Sequence, residues 1–195
     1  MHEVLNLDLF FFEEQTGFLK AGNRYDVYNP RTQEKVLVCQ EENMSLGAKL
    51  TRLNFFRNNA SFELIVRDQA DVKLLVVTRP KGAKSQHDPI EVLDENDQLV
   101  GKIQPKANLK GGFDVFDAQG APKYTILKNE EKDFDFVKED QNLAKISKKW
   151  AGAGKEFFTT ADNYLLQIMV TVPENDPLRL VILASVLVID MVLYE

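Results

Sequence analysis

The sequence predicts a mainly β protein, a closed antiparallel barrel of twelve strands, built from hairpins, around a buried hydrophobic C-terminal helix. Three observations support this prediction: short apolar runs recur, polar turns rich in Asp, Asn and Gly separate them, and one continuous apolar segment stands near the C-terminus. Runs of about five residues that alternate between apolar and polar are typical of half-buried strands. Many such strands at near-regular spacing indicate an antiparallel sandwich or barrel.

Five predicted hairpins account for ten of the strands. In each hairpin, two apolar runs flank a turn whose Asp, Asn or Gly residues tolerate the turn dihedrals. The paired runs are 25–28 with 36–39, 62–66 with 74–77, 90–93 with 99–103, 113–116 with 124–127, and 134–137 with 143–146. One further strand at each end, Leu9–Glu13 and Tyr164–Val172, completes the twelve. Residues 44–59 interrupt the pattern and predict a helical turn or a long loop.

The C-terminal segment 177–194 predicts the central helix, although its β-branched residues leave a strand as the alternative. Asp176 is a suitable N-cap and Pro177 a suitable first helical residue. The uncharged stretch between Arg179 and Asp190 has ten residues, whereas a membrane-spanning helix needs about 20. A helix that is apolar on all sides is buried, and a twelve-stranded barrel encloses a lumen roughly as wide as a helix, about 10 Å. We therefore expect the helix to fill the barrel.

Composition excludes several classes of function. The length of 195 residues suits one domain, residues 1–195. With 24 basic and 30 acidic residues the net charge is -6, and a nucleic-acid partner is not expected because such proteins need a basic surface. One cysteine and two histidines exclude an internal disulfide and leave little scope for zinc. The N-terminus lacks the features of a secretory signal, so we expect a cytoplasmic protein.

The sequence contains no recognisable catalytic set, so we expect no enzyme activity and no cofactor. Gly152 to Lys155 departs from a phosphate-binding loop because Glu156 stands where Ser or Thr binds magnesium. Cys39 lies within a strand pattern, where a buried apolar role is favoured over a nucleophilic one. His87 lies in a polar segment without a catalytic partner in a known motif.

Four lysines surround the single tryptophan in the sequence. Clustered basic residues beside an aromatic side chain bind anionic lipid head groups, at about 1 kcal/mol per basic residue near an anionic surface. The alternative is a set of solvated lysines with the tryptophan in the core. The candidate lipid-binding residues are Lys145, Lys148, Lys149, Trp150 and Lys155. An anionic phospholipid or membrane surface is the corresponding candidate partner.

The segment 144–164 resembles the phospholipid scramblase family. It reads AKISKKWAG and then KEFFTTADNY, against a family pattern of roughly I-x-K-x-W-x-G-x-x-R-E-x-F-T-D-A-D-N-F. The end of the chain resembles the terminal helix of that family, and Tyr164–Asp190 also resembles the plant LURP-one-related proteins. Both families share the Tubby-like barrel of twelve strands around a central hydrophobic helix. The resemblance extends over residues 25–195 and implies the same fold.

The resemblance implies a phospholipid scramblase-related protein that is non-enzymatic, lipid-associated and peripheral on the inner face of a membrane. The tubby branch of this superfamily binds phosphoinositides. The calcium site proposed for the scramblases uses the acidic residues of a D-A-D-N-F-G stretch, of which Asp162 is retained here, while Thr160 and Leu165 replace the first Asp and the Gly. Calcium prefers six to eight oxygen ligands, and Asp162 is the one candidate metal ligand. The alternative function is a soluble barrel that acts as a ligand-binding or interaction scaffold.

Overall fold

The computed structural model describes residues 2–15, 22–42, 61–80, 82–83, 85, 87–107, 112–129, 133–148 and 163–193. These residues form a 3-10 turn at Glu3–Asn6, twelve strands and one helix. The elements are β1 (Leu9–Glu14), β2 (Arg24–Tyr28), β3 (Lys35–Glu41), β4 (Phe62–Asp68), β5 (Lys73–Arg79), β6 (Ile90–Asp94), β7 (Leu99–Pro105), β8 (Phe113–Asp117), β9 (Pro122–Lys128), β10 (Phe134–Lys138), β11 (Gln141–Lys148), β12 (Asn163–Ile168) and α1 (Leu178–Leu193). Each strand pairs with its sequence neighbours, and β1 pairs antiparallel with β12, so the barrel is closed. The predicted fold is confirmed.

All five predicted hairpins are present, and three of their turns share one hydrogen-bond pattern. The Asp68 carboxylate accepts hydrogen bonds from the N–H groups of Ala70 and Val72, at 2.8 and 2.9 Å. Asp94 and Asp117 accept in the same way from the residues two and four positions later. The residue three positions after each of these Asp residues has a positive φ. This local bonding is the reason that Asp favours turns, and it makes these three connections short.

Helix α1 runs through the lumen of the barrel. All residues from Arg179 to Met191 are buried, and they pack against the inward-facing side chains of the strands. The Asp176 carboxylate accepts a hydrogen bond from the Leu178 N–H at 2.9 Å, which confirms the predicted N-cap. A Cβ at Gly101 of β7 would lie 2.8 Å from the Phe116 carbonyl oxygen. The glycine therefore permits close approach at this point of the wall.

Strand β12 ends earlier than the sequence predicted. The prediction extended it to Val172, but it ends at Ile168 and the chain then turns, with the Val172 N–H donating to the Met169 carbonyl at 2.9 Å. The β-branched residues here favoured a strand, but the chain must reverse in order to enter the lumen as α1. Val170 is 99% exposed on the outside of this turn. The segment 44–59, predicted to be a loop or a helical turn, lies outside the described residues.

The barrel has two ends that carry different connections. We define the turn end by the segments 2–8, 29–34, 69–72, 95–98, 118–121, 139–140 and 169–177, which include the five hairpin turns and the connection into α1. The opposite end is the helix-exit end. There the odd-numbered strands end, the even-numbered strands begin, and α1 finishes at Leu193.

Candidate functional site

A ring of charged side chains faces inward at the helix-exit end. Side chains alternate between the two faces of a strand, and the last residue of each odd-numbered strand is in phase with the buried, lumen-facing residues before it. On five of the six odd-numbered strands that last residue is charged, and on β7 it is a proline. The charged residues are Glu14, Glu41, Arg79, Lys128 and Lys148. We call these five residues the charged collar.

Aromatic rings lie beside the three cations of the charged collar. The distances from the cationic group to the ring centroid are 5.4 Å for Arg79 with Phe62, 5.7 Å for Lys128 with Phe134, and 5.7 Å for Lys148 with Tyr164. A cation within about 6 Å of an aromatic face is attracted by the ring quadrupole. This contact positions the cation without neutralising its charge.

The cations of the charged collar differ in their exposure to solvent. Arg79 is buried, and desolvation lowers the pKa of its guanidinium while nearby Asp88 partly opposes the shift. Lys128 is exposed and Lys148 is half-buried. The two lysines therefore combine contact with solvent and a fixed position on an aromatic ring.

A buried carboxylate fixes the end of α1 directly beneath this collar. Asp190 accepts hydrogen bonds from the hydroxyl groups of Tyr25, at 2.6 Å, and of Tyr164. A buried carboxylate destabilises a fold unless it is hydrogen-bonded, and bonds to a charged acceptor are stronger than neutral ones. Tyr164 thus contacts Lys148 through its ring and Asp190 through its hydroxyl group. Tyr164 therefore connects the charged collar to the central helix.

At the turn end, a buried arginine fixes the other end of the helix. The Arg179 guanidinium donates to the carbonyl oxygens of Leu5 at 2.7 Å, Leu7 at 2.6 Å and Val172 at 3.0 Å. These acceptors belong to the N-terminal segment and to the connection between β12 and α1. One side chain therefore joins three separate parts of the chain at the base of the barrel.

Charge is distributed unevenly along the barrel axis. The seven described segments of the turn end contain ten acidic residues and one basic residue, a net charge of -9. The strands and α1 contain twelve of each and are neutral overall. The whole chain carries -6, so the remaining residues of the sequence, most of which lie outside the described part of the chain, carry a net +3. Among the described residues, the excess of acidic charge is thus concentrated in one acidic pole at the turn end.

Two of the five residues predicted to bind lipid lie in the part of the chain that the structure describes. Lys145 lies on the outer face of β11, where its Nζ is 3.2 Å from the Asp133 carboxylate, which also accepts a hydrogen bond from Ser147. Lys148, three residues later, lies on the inner face in the charged collar. The two lysines therefore occupy opposite faces of the barrel wall. Outside the described residues lie the other candidates, Lys149, Trp150 and Lys155, together with the candidate calcium ligand Asp162.

The described ranges contain neither a metal-binding cluster nor a membrane-spanning helix. No three His, Cys, Asp or Glu residues are grouped there so that they could hold a metal ion. No described helix is long and apolar enough to cross a membrane. Cys39 is fully buried, and burial raises the pKa of its thiol. Such a thiol packs as a small apolar group rather than acting as a nucleophile.

A twelve-stranded antiparallel barrel with a helix in its lumen defines the class of this protein. The fold is similar to the X-ray structure of a protein from Arabidopsis thaliana, with a TM-score of 0.52 over 93% of this chain and 88% of that chain, at 10% sequence identity. The Scramblase family matches residues 7–195, and the chain belongs to this family. The resemblance noted in the sequence is thereby confirmed.

A curated relative supports the same assignment. A phospholipid scramblase family protein of Schizosaccharomyces pombe is 24% identical over 187 residues, which are 88% of this chain and 49% of that protein. The chain therefore spans about half the length of this relative.

Proposed function

We propose that the protein is a non-enzymatic, phospholipid-associated member of the Scramblase family. In this proposal it binds peripherally to anionic membrane surfaces on the cytoplasmic side, with the helix-exit end toward the lipid. The carrying observation is the axial charge polarity of the described residues: the turn end has a net charge of -9, whereas the strands and α1 are neutral overall. An anionic leaflet attracts basic segments and repels acidic ones over about one Debye length, roughly 8 Å at 0.15 M salt.

The length of the barrel makes this polarity effective. Helix α1 has 16 residues and is therefore about 24 Å long at 1.5 Å per residue. When the helix-exit end touches the membrane, the acidic turn end lies beyond the Debye length and its repulsion is screened. In the reverse orientation the acidic pole would face the anionic surface. The charge distribution thus favours a single docking orientation.

Three further observations support the proposal. Lys128 and Lys148 of the charged collar lie at the end that would face the lipid. The predicted lipid-binding residues Lys149, Trp150 and Lys155 come after β11 in the sequence. The family assignment and the relative from fission yeast support a phospholipid as the partner.

We expect the protein to sediment with vesicles of phosphatidylserine and phosphatidylcholine at low salt, but not with vesicles of phosphatidylcholine alone. Binding should weaken as the salt concentration rises to 0.15 M, because the Debye length falls to about 8 Å. At about 1 kcal/mol per basic residue, a few lysines give weak and reversible attachment. Vesicle sedimentation across a salt series measures this. Protein that stays wholly in the supernatant at low salt would overturn the proposal and favour the soluble scaffold.

We expect this association to need no calcium. Thr160 stands where the family pattern has an Asp, and calcium prefers six to eight oxygen ligands. Millimolar calcium should leave the melting temperature unchanged, whereas a ligand at 100 times its Kd stabilises a fold by about 2.7 kcal/mol. Thermal melting with and without calcium tests this expectation. A calcium-dependent rise that Asp162→Ala abolishes would contradict it.

A further inference from the structure

The outer wall of the barrel contains a groove that the proposed membrane association does not use. The groove crosses the outward faces of β2, β3 and β4, has a volume of about 270 Å³, and extends to the turn between β4 and β5. Its floor contains Val38 and Ile65, and its walls contain Arg24 on β2 and Arg67 on β4. We call this cavity the outer groove. Its volume is slightly below the range of small-molecule pockets, about 300–1,000 Å³, so it suits one or two side chains of a partner.

A buried carboxylate with one oxygen that lacks a hydrogen bond lies at the β2 wall of the outer groove. Asp26 is only 7% exposed. Its Oδ2 lies 2.8 Å from the Lys35 Nζ, whereas its Oδ1 accepts no hydrogen bond within the described residues. Asp26 pairs in register with Val38 of the groove floor, and its Oδ1 lies 3.6 Å from the Nε of Arg24 in the groove wall. Buried polar atoms without a hydrogen bond are rare and destabilising, so this oxygen is an acceptor site for a cationic donor.

Arg24 occupies this acceptor site only loosely. Its Nε lies 3.6 Å from the Asp26 Oδ1, and its Nη1 lies 3.5 Å from the Gln40 Oε1. Hydrogen bonds from a cationic N–H to a carboxylate are normally about 2.7–2.9 Å long. The Arg24 side chain is 38% exposed, so water can replace these long contacts when the side chain turns outward. A cation that forms a short bond to Asp26 therefore displaces Arg24 at low energetic cost.

We propose that the outer groove binds a basic segment of a partner protein, whose lysine or arginine side chain displaces Arg24 and pairs with Asp26. The aliphatic part of that side chain packs on Val38 and Ile65 in the floor, as long basic side chains do on apolar surface. The site lies on the outer wall of the barrel and not at the helix-exit end. This interaction is therefore independent of the proposed membrane association.

The charges around the outer groove favour a basic partner. The Arg67 guanidinium in the opposite wall lies 3.1 Å from the Glu42 carboxylate and 3.5 Å from the Asp71 carboxylate, so its charge is compensated. Glu13 of β1 pairs in register with Asp26 and adds a second negative charge on that side. The groove also extends to the acidic pole, whose described segments contain ten acidic residues and one basic residue. A negative field of this kind steers a basic segment toward the groove.

The test compares the groove with a matched ion pair outside it. Arg24→Gln and Asp26→Asn change the groove, whereas Arg31→Gln and Asp8→Asn make the same changes in an exposed pair at the turn end, with 3.2 Å between the charged groups. The probe is a short fluorescein-labelled peptide of lysine, leucine and serine, and a peptide with glutamine in place of lysine is its uncharged control. Fluorescence anisotropy without vesicles measures the affinity of each variant, and thermal melting verifies that each variant folds.

We expect Asp26→Asn to weaken binding of the lysine peptide about tenfold, because a hydrogen bond to a charged acceptor is lost. Arg24→Gln should strengthen binding about fivefold, because it removes a competing ion pair that is partly exposed. Arg31→Gln and Asp8→Asn should change the affinity by about twofold or less, since solvent screens exposed charges. The glutamine peptide should not bind. If Asp26→Asn fails to fold, the comparison of Arg24→Gln with Arg31→Gln still tests the site.

Three results would overturn the proposal. Equal effects at the two ion pairs would show that only the total charge of the protein matters. Absence of lysine-peptide binding to both the wild type and Arg24→Gln would show that the groove binds no basic segment. Displacement of the peptide by an equal concentration of free arginine would assign the groove to a small cation and not to a protein. None of these results affects vesicle sedimentation, which tests the proposed function separately.

Discussion

Leu183→Asp is expected to prevent the barrel from folding. Leu183 lies in α1 and is only 1% exposed, within a lumen packed with apolar side chains. Burying an unpaired carboxylate destabilises a fold by several kcal/mol, against a total stability of roughly 5–15 kcal/mol for a typical domain. The loss of the leucine packing adds to this effect. We expect circular dichroism to show no cooperative thermal transition and the soluble yield to fall.

Val170→Asp is the matched control for this substitution. Val170 is a comparable apolar residue, but it is 99% exposed on the turn that precedes α1. An exposed substitution of this kind changes stability by about 0.5 kcal/mol or less. A Leu183→Asp protein that melts cooperatively at the wild-type temperature would show that the helix does not form the core of the barrel.

The strands and the helix were predictable because their signals are local. The turn that begins at Asp94 contains the residues that its hydrogen bonds require, and the apolar alternation on both sides continues into the paired strands. The helix was predictable from the Asp176 cap and from an uncharged stretch too short for a membrane span. Closure of the barrel followed from the need of both elements to bury apolar surface.

The ends of the strands were less predictable, and with them the charged collar. Every odd-numbered strand extends beyond its predicted end and includes a last residue that the sequence analysis left outside the strand. Charged residues such as Lys128 and Glu41 resemble the start of a loop when burial is unknown. The one indication in the sequence is that each of these charged residues is in phase with the apolar residues of the strand before it. The opposite error occurred at Val172, where β-branched residues form a turn.

The contacts around Asp190 had no local signal. Its partners Tyr25 and Tyr164 are 165 and 26 residues away in sequence. They come together only because β1 pairs with β12 and the helix enters the lumen. By contrast, the separation of Lys145 and Lys148 onto opposite faces follows from the two-residue period of a strand. These two lysines are close in sequence, but they do not belong to one surface of the barrel.

Arg179→Met is expected to destabilise the protein by about 4 kcal/mol or more, since each of its three hydrogen bonds from a charged donor contributes roughly 1.5–3 kcal/mol. Methionine retains an apolar stem but removes all three hydrogen bonds to the carbonyls of Leu5, Leu7 and Val172. The N-terminal segment and the connection into α1 then lose their shared donor. A domain of this size loses about 2–4 °C per kcal/mol, so calorimetry should show a fall of roughly 10 °C.

Arg31→Met is the control for the loss of an arginine. Arg31 pairs with Asp8 at 3.2 Å at the same end of the barrel, but the two side chains are 62% and 54% exposed. Exposed ion pairs contribute about 1 kcal/mol or less because solvent screens them. We therefore expect little change in the melting temperature of this variant. Equal and small shifts for both variants would show that water replaces the Arg179 donors at low energetic cost and that this arginine does not fix the base of the helix.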